Sequence, residues 1–267
     1  MMETGTLKEY LSRIYQARYF LIHLVKWDMK YKFRRSKLGI LWTILQPLLL
    51  TLIMSAVFSF VLNQEMRTYA PYLLTGTLVW DVIHGSFIAN STSFVAAETY
   101  IRQYAHPMAL YPLRVAMVSL CTFLIALIGL LVWGGVIYPQ NLPLDVLSLP
   151  FTVLCYFLLS WSVSTISSHV YVRYRDYPYV MTLLMQFMWY LSPVFFREEM
   201  FQGDALLFRV YLLNPITQVL KLLRKPLLYG ELAGPLTYLY VISMTGALLW
   251  AAWRMSKKAE RAVIYYL

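Results

Sequence analysis

Asp81 and His84 are the side chains whose types and spacing come nearest to a chemical device. They stand one helical turn apart in Trp80–Asp81–Val82–Ile83–His84, inside an apolar run. An acid and an imidazole at that spacing share a helix face and can pass a proton. Ionisable groups at membrane depth face a cavity or a partner, because lipid does not solvate them. A proton-coupled carrier would use such a pair. No second acid lies at comparable depth to complete a relay, so a pore-facing or helix-packing role fits Asp81 better. A second group is basic: Lys30, Lys32, Arg34, Arg35 and Lys37 stand just ahead of the first long apolar run. Positive-inside topology and contact with anionic lipid account for such a cluster. A third group is aromatic. Trp80, Phe87, Tyr156, Trp161, Phe187, Trp189 and Tyr190 lie at mid-run or in an interior connection. Their flat faces suit the C–H faces of sugar rings, although packing against lipid explains any one of them.

Enzyme chemistry has no visible carrier. The chain contains no G-x-x-x-x-G-K-[ST] phosphate loop, no H-E-x-x-H and no G-x-S-x-G elbow. His23, His84, His106 and His169 are scattered without metal-ligand spacing. Cys121 and Cys155 both sit in apolar runs, which implies no disulfide framework. No cofactor is expected on this chain, and any energy source must lie on another.

The elements that position these residues are set by composition. The chain has 267 residues, 60% hydrophobic and only 13% charged. Soluble domains run nearer 45–50% and about 25%. This excludes disorder, a collagen-like fibre and a disulfide scaffold, and leaves room for six spanning helices of about 20 residues. The net charge of +10 would suggest nucleic acid in a soluble protein. In a membrane protein it marks the cytoplasmic side, and no nucleic-acid partner is expected.

Residues 1–37 form a cytoplasmic segment with nine basic residues. Thr6 and Glu9 fit a capping box. Leu7, Leu11, Ile14, Leu21 and Val25 recur at helical spacing, which predicts an amphipathic helix lying on the membrane, apolar side down. A six-helix region covers 38–254, with apolar runs near 38–62, 69–94, 112–137, 143–168, 179–196 and 235–254. A further apolar stretch at 205–229 is broken by Asn214–Pro215, Lys221, Arg224, Lys225 and Pro226. It reads as an exterior helical hairpin that enters the membrane and returns. Residues 255–267 form a cytoplasmic tail. With both termini inside, 17 of the 23 basic residues fall on the cytoplasmic side.

More specific signals lie in the connections. The run Lys26–Trp27–Asp28–Met29–Lys30–Tyr31–Lys32–Phe33–Arg34–Arg35–Ser36–Lys37–Leu38–Gly39–Ile40–Leu41–Trp42, followed by Pro47, resembles the start of the membrane subunits of ABC-2 type polysaccharide exporters. Trp27 stands where that family commonly has a basic residue. Residues 95–111, with Tyr100–Ile101–Arg102–Gln103–Tyr104–Ala105–His106–Pro107 and then Pro112, are similar to its coupling segment. Arg175–Asp176 precede the fifth run. Ser192–Pro193, Leu213–Asn214–Pro215 and Arg224 resemble its re-entrant gating helices, with Lys221 where an acid is usual.

The resemblance is to the O-antigen and teichoic-acid branch, and it covers nearly the whole chain. It implies a homodimer with two copies of an ABC ATPase beneath it, which hold the ATP and Mg. The implied substrate is a polysaccharide on a polyprenyl-pyrophosphate carrier at the bacterial inner membrane. Glu98, Tyr100, Ile101, Arg102, Tyr104, His106, Arg175 and Asp176 would couple to the ATPase. Lys30, Lys32, Arg34, Arg35 and Lys37 would meet the lipid pyrophosphate. Trp80, Asp81, Trp189, Tyr190, Asn214 and Arg224 would line or gate the path. Other ABC-2 cargo, such as teichoic acid, capsule, drug or lipid, and the proton-coupled carrier are the alternatives.

Overall fold

The computed structural model describes residues 7–61, 64–103, 106–201 and 203–267, and these contain helices and no strand. Two helices come first, α1 (Leu7–Gln16) and α2 (Arg18–Lys32). They are followed by α3 (Trp42–Val61), α4 (Met66–Phe87), α5 (Ser93–Ala96) and α6 (Glu98–Gln103). The long helices α7 (Leu110–Ile137) and α8 (Leu142–Arg173) precede α9 (Tyr177–Leu191). Three short helices, α10 (Glu198–Phe201), α11 (Ala205–Leu213) and α12 (Pro215–Arg224), lead to α13 (Pro235–Tyr266).

Among the described residues four segments are long and apolar enough to cross a membrane: Gly39–Val61, Leu110–Ile137, Leu147–Arg173 and Pro235–Lys257. The other two predicted spans are helical but differ in kind. Helix α9 has 15 residues, about 22 Å at 1.5 Å each, against roughly 30 Å of hydrocarbon. Helix α4 has 22 residues and is long enough, but it is less apolar because it is central. Tyr69 to Trp80 are buried on all sides, against α3, α7, α8 and α12. Two of its threonine hydroxyls are satisfied within the helix: Thr75 Oγ1 donates to Tyr72 O at 2.8 Å and Thr77 Oγ1 to Leu74 O at 3.0 Å. Such bonds let polar residues sit in a core without an orphaned donor.

From the end of α4 onward a polar seam joins the chain to α8. Ser86 Oγ donates to Ser160 Oγ at 2.7 Å, Asn90 Nδ2 to Ser164 Oγ at 2.9 Å, and Ser93 meets Ser168 at 2.7 Å. Small polar residues at this spacing allow close helix approach. The larger apolar core lies further along, between α4, α7, α8, α12 and α13.

Three sequence expectations are refined. The amphipathic helix breaks at Ala17 into α1 and α2, and Ile14, Leu21 and Val25 of its apolar side are buried rather than open to lipid. Ile14, Leu21 and Val25 pack on Ala109 and on Leu110 and Leu113 of α7, with Phe157 and Trp161 of α8 alongside. The capping Thr6 lies outside the described residues. The tail expected over 255–267 continues α13 without a break to Tyr266. The break expected at Asn214–Pro215 is observed. Asn214 Oδ1 accepts from the Ile216 N–H at 2.9 Å as the N-cap of α12, with Pro215 in its first turn.

Candidate functional site

Three clusters contain the residues singled out in the sequence. The first is built on α6. Ile101 anchors it, buried with Phe94, Ala97, Met108, Tyr111, Val172 and Val263. One turn of helix then turns Glu98 and Arg102 outward, where Arg102 Nε donates to Glu98 Oε1 at 2.9 Å. An exposed pair of this kind contributes little to stability. It is a charged surface free to meet another chain.

The same turn ties α6 to α2. The His106 ring stacks on Phe20 at 4.5 Å, and Tyr100 meets Phe20 edge-on at 6.1 Å. The Arg114 guanidinium lies 5.9 Å from the Tyr100 ring and grips both carboxylate oxygens of Asp28. The fork is a bidentate, half-shielded ion pair, the strong form of this interaction. Arg175 joins from the other side, its Nη2 donating to Tyr266 O at 3.2 Å. Asp176 is exposed and starts α9, and Tyr104 lies outside the described residues. The structure thus brings Glu98, Tyr100, Ile101, Arg102 and His106 together, with Arg175 linked through the end of α13. Sequence reasoning missed Phe20, Arg114, Val263 and Tyr266 as members of this cluster.

The second cluster is the basic lead-in. Lys30 and Lys32 end α2, and the chain then turns sharply into α3. Arg35 takes φ +68° and Gly39 φ +52°, both left-handed. The Gly39 N–H donates to Ser36 Oγ at 3.0 Å. The strained turn keeps Arg34, Arg35 and Lys37 exposed together with Lys30. Lys32 differs, because its Nζ donates to Thr122 Oγ1 of α7 at 3.4 Å. Burial holds its amine below the usual lysine range, while the Asp81 carboxylate pulls it back up. The charge that reaches Asp81 therefore comes from the lead-in. His84 lies one turn on and sits against the Trp80 ring at 6.1 Å. Asp81 itself is exposed on α4, although Trp80, Val82 and Ile83 around it are buried. An acid on the outer surface of a buried helix needs a polar surrounding that one chain in lipid does not supply.

The third cluster is a knot around Arg224, a cation only 5% exposed. Its Nε donates to Thr75 Oγ1 at 3.1 Å, and Nη2 to Tyr72 O at 3.1 Å and Val194 O at 2.8 Å. Nη1 donates to Pro193 O. The guanidinium lies 3.7 Å from the centre of the Tyr72 ring. Three separate segments, α4, the 192–196 turn and α12, are joined by one side chain. A buried cation needs this many partners to offset its desolvation. Tyr72 Oη adds bonds to Pro193 O at 3.1 Å and Phe196 O at 2.7 Å, and Tyr69 Oη one to Phe195 O at 3.0 Å. Asn214 Nδ2 donates to Ser192 Oγ at 2.9 Å. Gly76 leaves the space: a Cβ there would stand 2.5 Å from Arg224 Nη2 and 2.6 Å from Val194 O.

The three path aromatics and the two gate residues separate accordingly. Trp80 is buried against Trp189, their rings 4.8 Å apart, and Trp189 also meets Phe195 at 5.2 Å. Tyr190 is 59% exposed and so remains free to meet a passing molecule. Asn214 and Arg224 hold the knot closed. Among the described residues no group of His, Cys, Asp and Glu suits a metal ion.

Known proteins are similar over most of this length. Residues 19–228 match the family model of the ABC-2 type transporter membrane region. The O-antigen export system permease protein RfbA of Myxococcus xanthus is 27% identical over 244 residues, covering 91% of this chain and 93% of the relative. Two permease proteins of the same name from Klebsiella pneumoniae are 25% and 24% identical, each over 86% of this chain and 87% of the relative. The matched region contains most of α2, helix α6 and the Arg224 knot, and by this match the chain belongs to the ABC-2 type transporter family.

Proposed function

We propose that this chain is the membrane subunit of an ABC exporter that moves an O-antigen-like polysaccharide, linked to a polyprenyl pyrophosphate, across the bacterial inner membrane. The observation that carries the reading is the match to O-antigen export permeases over nine-tenths of the chain. The subunit works as a homodimer, with one ATPase subunit beneath each copy supplying ATP and Mg. Each copy crosses the membrane six times with both termini cytoplasmic, α4 and α9 making the second and fifth crossings. Helices α11 and α12 form the re-entrant pair at the exterior mouth.

In this reading α6 receives the push of the ATPase through Glu98 and Arg102. Tyr100 and His106 pass it to Phe20, and the Arg114–Asp28 fork holds α2 to α7 while it moves. The far end of α2 bears Lys30 and Lys32, which with Arg34, Arg35 and Lys37 offer several cations to a pyrophosphate at the inner leaflet. Asp81 faces the second copy across a hydrated path, and Tyr190 offers a ring face to sugar. Opening the path requires release of the Arg224 knot, which closes the exterior side.

The test is complementation. In a strain lacking its own O-antigen permease, this chain with its ATPase partner restores polysaccharide at the cell surface. Accumulation of the lipid-linked polymer inside, with the protein stably present, would refute the substrate assignment.

A further inference from the structure

The end of α13 has properties that a membrane crossing does not require. Helices α8 and α13 have 32 residues each, about 48 Å at 1.5 Å per residue, against roughly 30 Å of hydrocarbon. Both therefore project well past the bilayer. On α13 the membrane level is marked by Trp250 and Trp253, with Arg254 5.0 Å from the first ring and Lys257 Nζ 5.6 Å from the second. Aromatic and cationic residues together mark an interfacial belt. Tyr265 lies about 18 Å further along the helix, too far to be part of that belt.

At this distance from lipid, Ile264 is 53% exposed, Tyr265 84% and Tyr266 43%. The opposite side of the same turn is anchored: Val263 is buried with Ile101 of α6, Phe94 and Val172, and Leu267 packs on that group. Arg175 Nη2 holds the Tyr266 carbonyl at 3.2 Å. The exposed residues are thus on a turn that is fixed against α6, the helix that bears Glu98 and Arg102.

We infer that Ile264, Tyr265 and Tyr266 form an apolar half of the docking face for the ABC ATPase, completing the charged half on α6. The inference rests on the coupling role given to α6 above. Rigid tyrosines beside a charged pair match the composition of interface centres, where aromatic residues are enriched. The arrangement has a mechanical consequence. A load on α6 alone would tilt a six-residue helix, whereas a load shared with the end of α13 is carried into a full-length span. Helix α8 shares it too, through Val172, and Arg175 just beyond its end ties it to Tyr266.

The experiment uses the complex of this chain with the ATPase subunit of the same export system. Tyr265→Cys is placed in a Cys121→Ala, Cys155→Ala background and treated with a short thiol-to-amine cross-linker. In parallel, an Ile264→Ser, Tyr265→Ser variant is tested for ATPase affinity, with Tm confirming its fold. The expected results are a permease–ATPase cross-link and affinity about tenfold weaker, the loss of one strong interface contact. A cross-link to a second copy of this chain, protection of the introduced thiol by lipid vesicles without the ATPase, or unchanged affinity would each overturn the inference. A Glu98→Ala, Arg102→Ala variant separates the two ideas. If it weakens the complex and the α13 variant does not, only the present inference fails. If neither weakens it, the coupling role of α6 fails as well.

Discussion

Replacing Arg224 by Met should loosen the exterior turn without unfolding the helices. The side chain supplies four hydrogen bonds and one ring contact. After the change Tyr72 O keeps Thr75 Oγ1 as a donor, and Pro193 O keeps a share of the Tyr72 hydroxyl, whose shorter bond is to Phe196 O. Val194 O loses its side-chain donor. One orphaned acceptor costs about 1–3 kcal/mol, and the lost cation–π contact about 2 kcal/mol. Removing a buried cation returns part of this, because its desolvation is no longer paid. The net is about 2–4 kcal/mol, localised to the 192–196 turn and α12. Hydrogen exchange in detergent micelles reads it directly: amides of residues 191–196 and 215–224 should lose protection by roughly 25- to 700-fold. Amides in the middle of α13 should not change. Equal loss along the whole chain, or no loss at the turn, would refute the knot as a local clasp.

Other substitutions probe the same account. Gly76→Ala should lower stability by about 1–3 kcal/mol, because its Cβ meets the guanidinium and a backbone oxygen. Gly85→Ala on the same helix meets open space and should be neutral or raise Tm, by about 0.5–1 kcal/mol of helix propensity. A double-mutant cycle on Asp28→Asn and Arg114→Gln should show a coupling of roughly 1–3 kcal/mol by thermal unfolding, and a value near zero would remove the fork from the α2–α7 contact. Tyr190→Ala should slow polysaccharide export with Tm unchanged, whereas Trp189→Ala should lower Tm through lost packing on Trp80 and Phe195. The reverse pattern would place the path elsewhere.

The helices were legible where one side of each had to meet lipid. Runs of apolar residues mark α3, α7, α8 and α13 because hydrocarbon imposes a uniform requirement on every exposed position. Helix α4 was harder to grade, since burial in protein permits Thr75, Gly76 and Thr77. The break at Asn214–Pro215 was readable because a cap and a first-turn proline act locally. The knot around Arg224 was only half readable. Its charge in an apolar stretch signalled a special site, but its acceptors are backbone carbonyls, and every residue has one. The pairing of Asp28 with Arg114 had no local signal at all, being set by the way α2 lies on α7. Likewise residues 255–267 read only as a cytoplasmic tail, because the packing of Val263 against Ile101 and Phe94 is a long-range contact with no local signal.

The central claim is that this chain moves a lipid-linked polysaccharide and that another chain supplies the energy. Reconstitution tests it most directly, with the purified chain, its ATPase partner and a polyprenyl-pyrophosphate-linked glycan in proteoliposomes, and glycan reaching the opposite leaflet as the readout. Transport should require both subunits and Mg-ATP, and should stop when the ATPase is made unable to hydrolyse ATP. Transport by this chain alone, driven by a proton gradient and abolished by Asp81→Asn, would contradict the account.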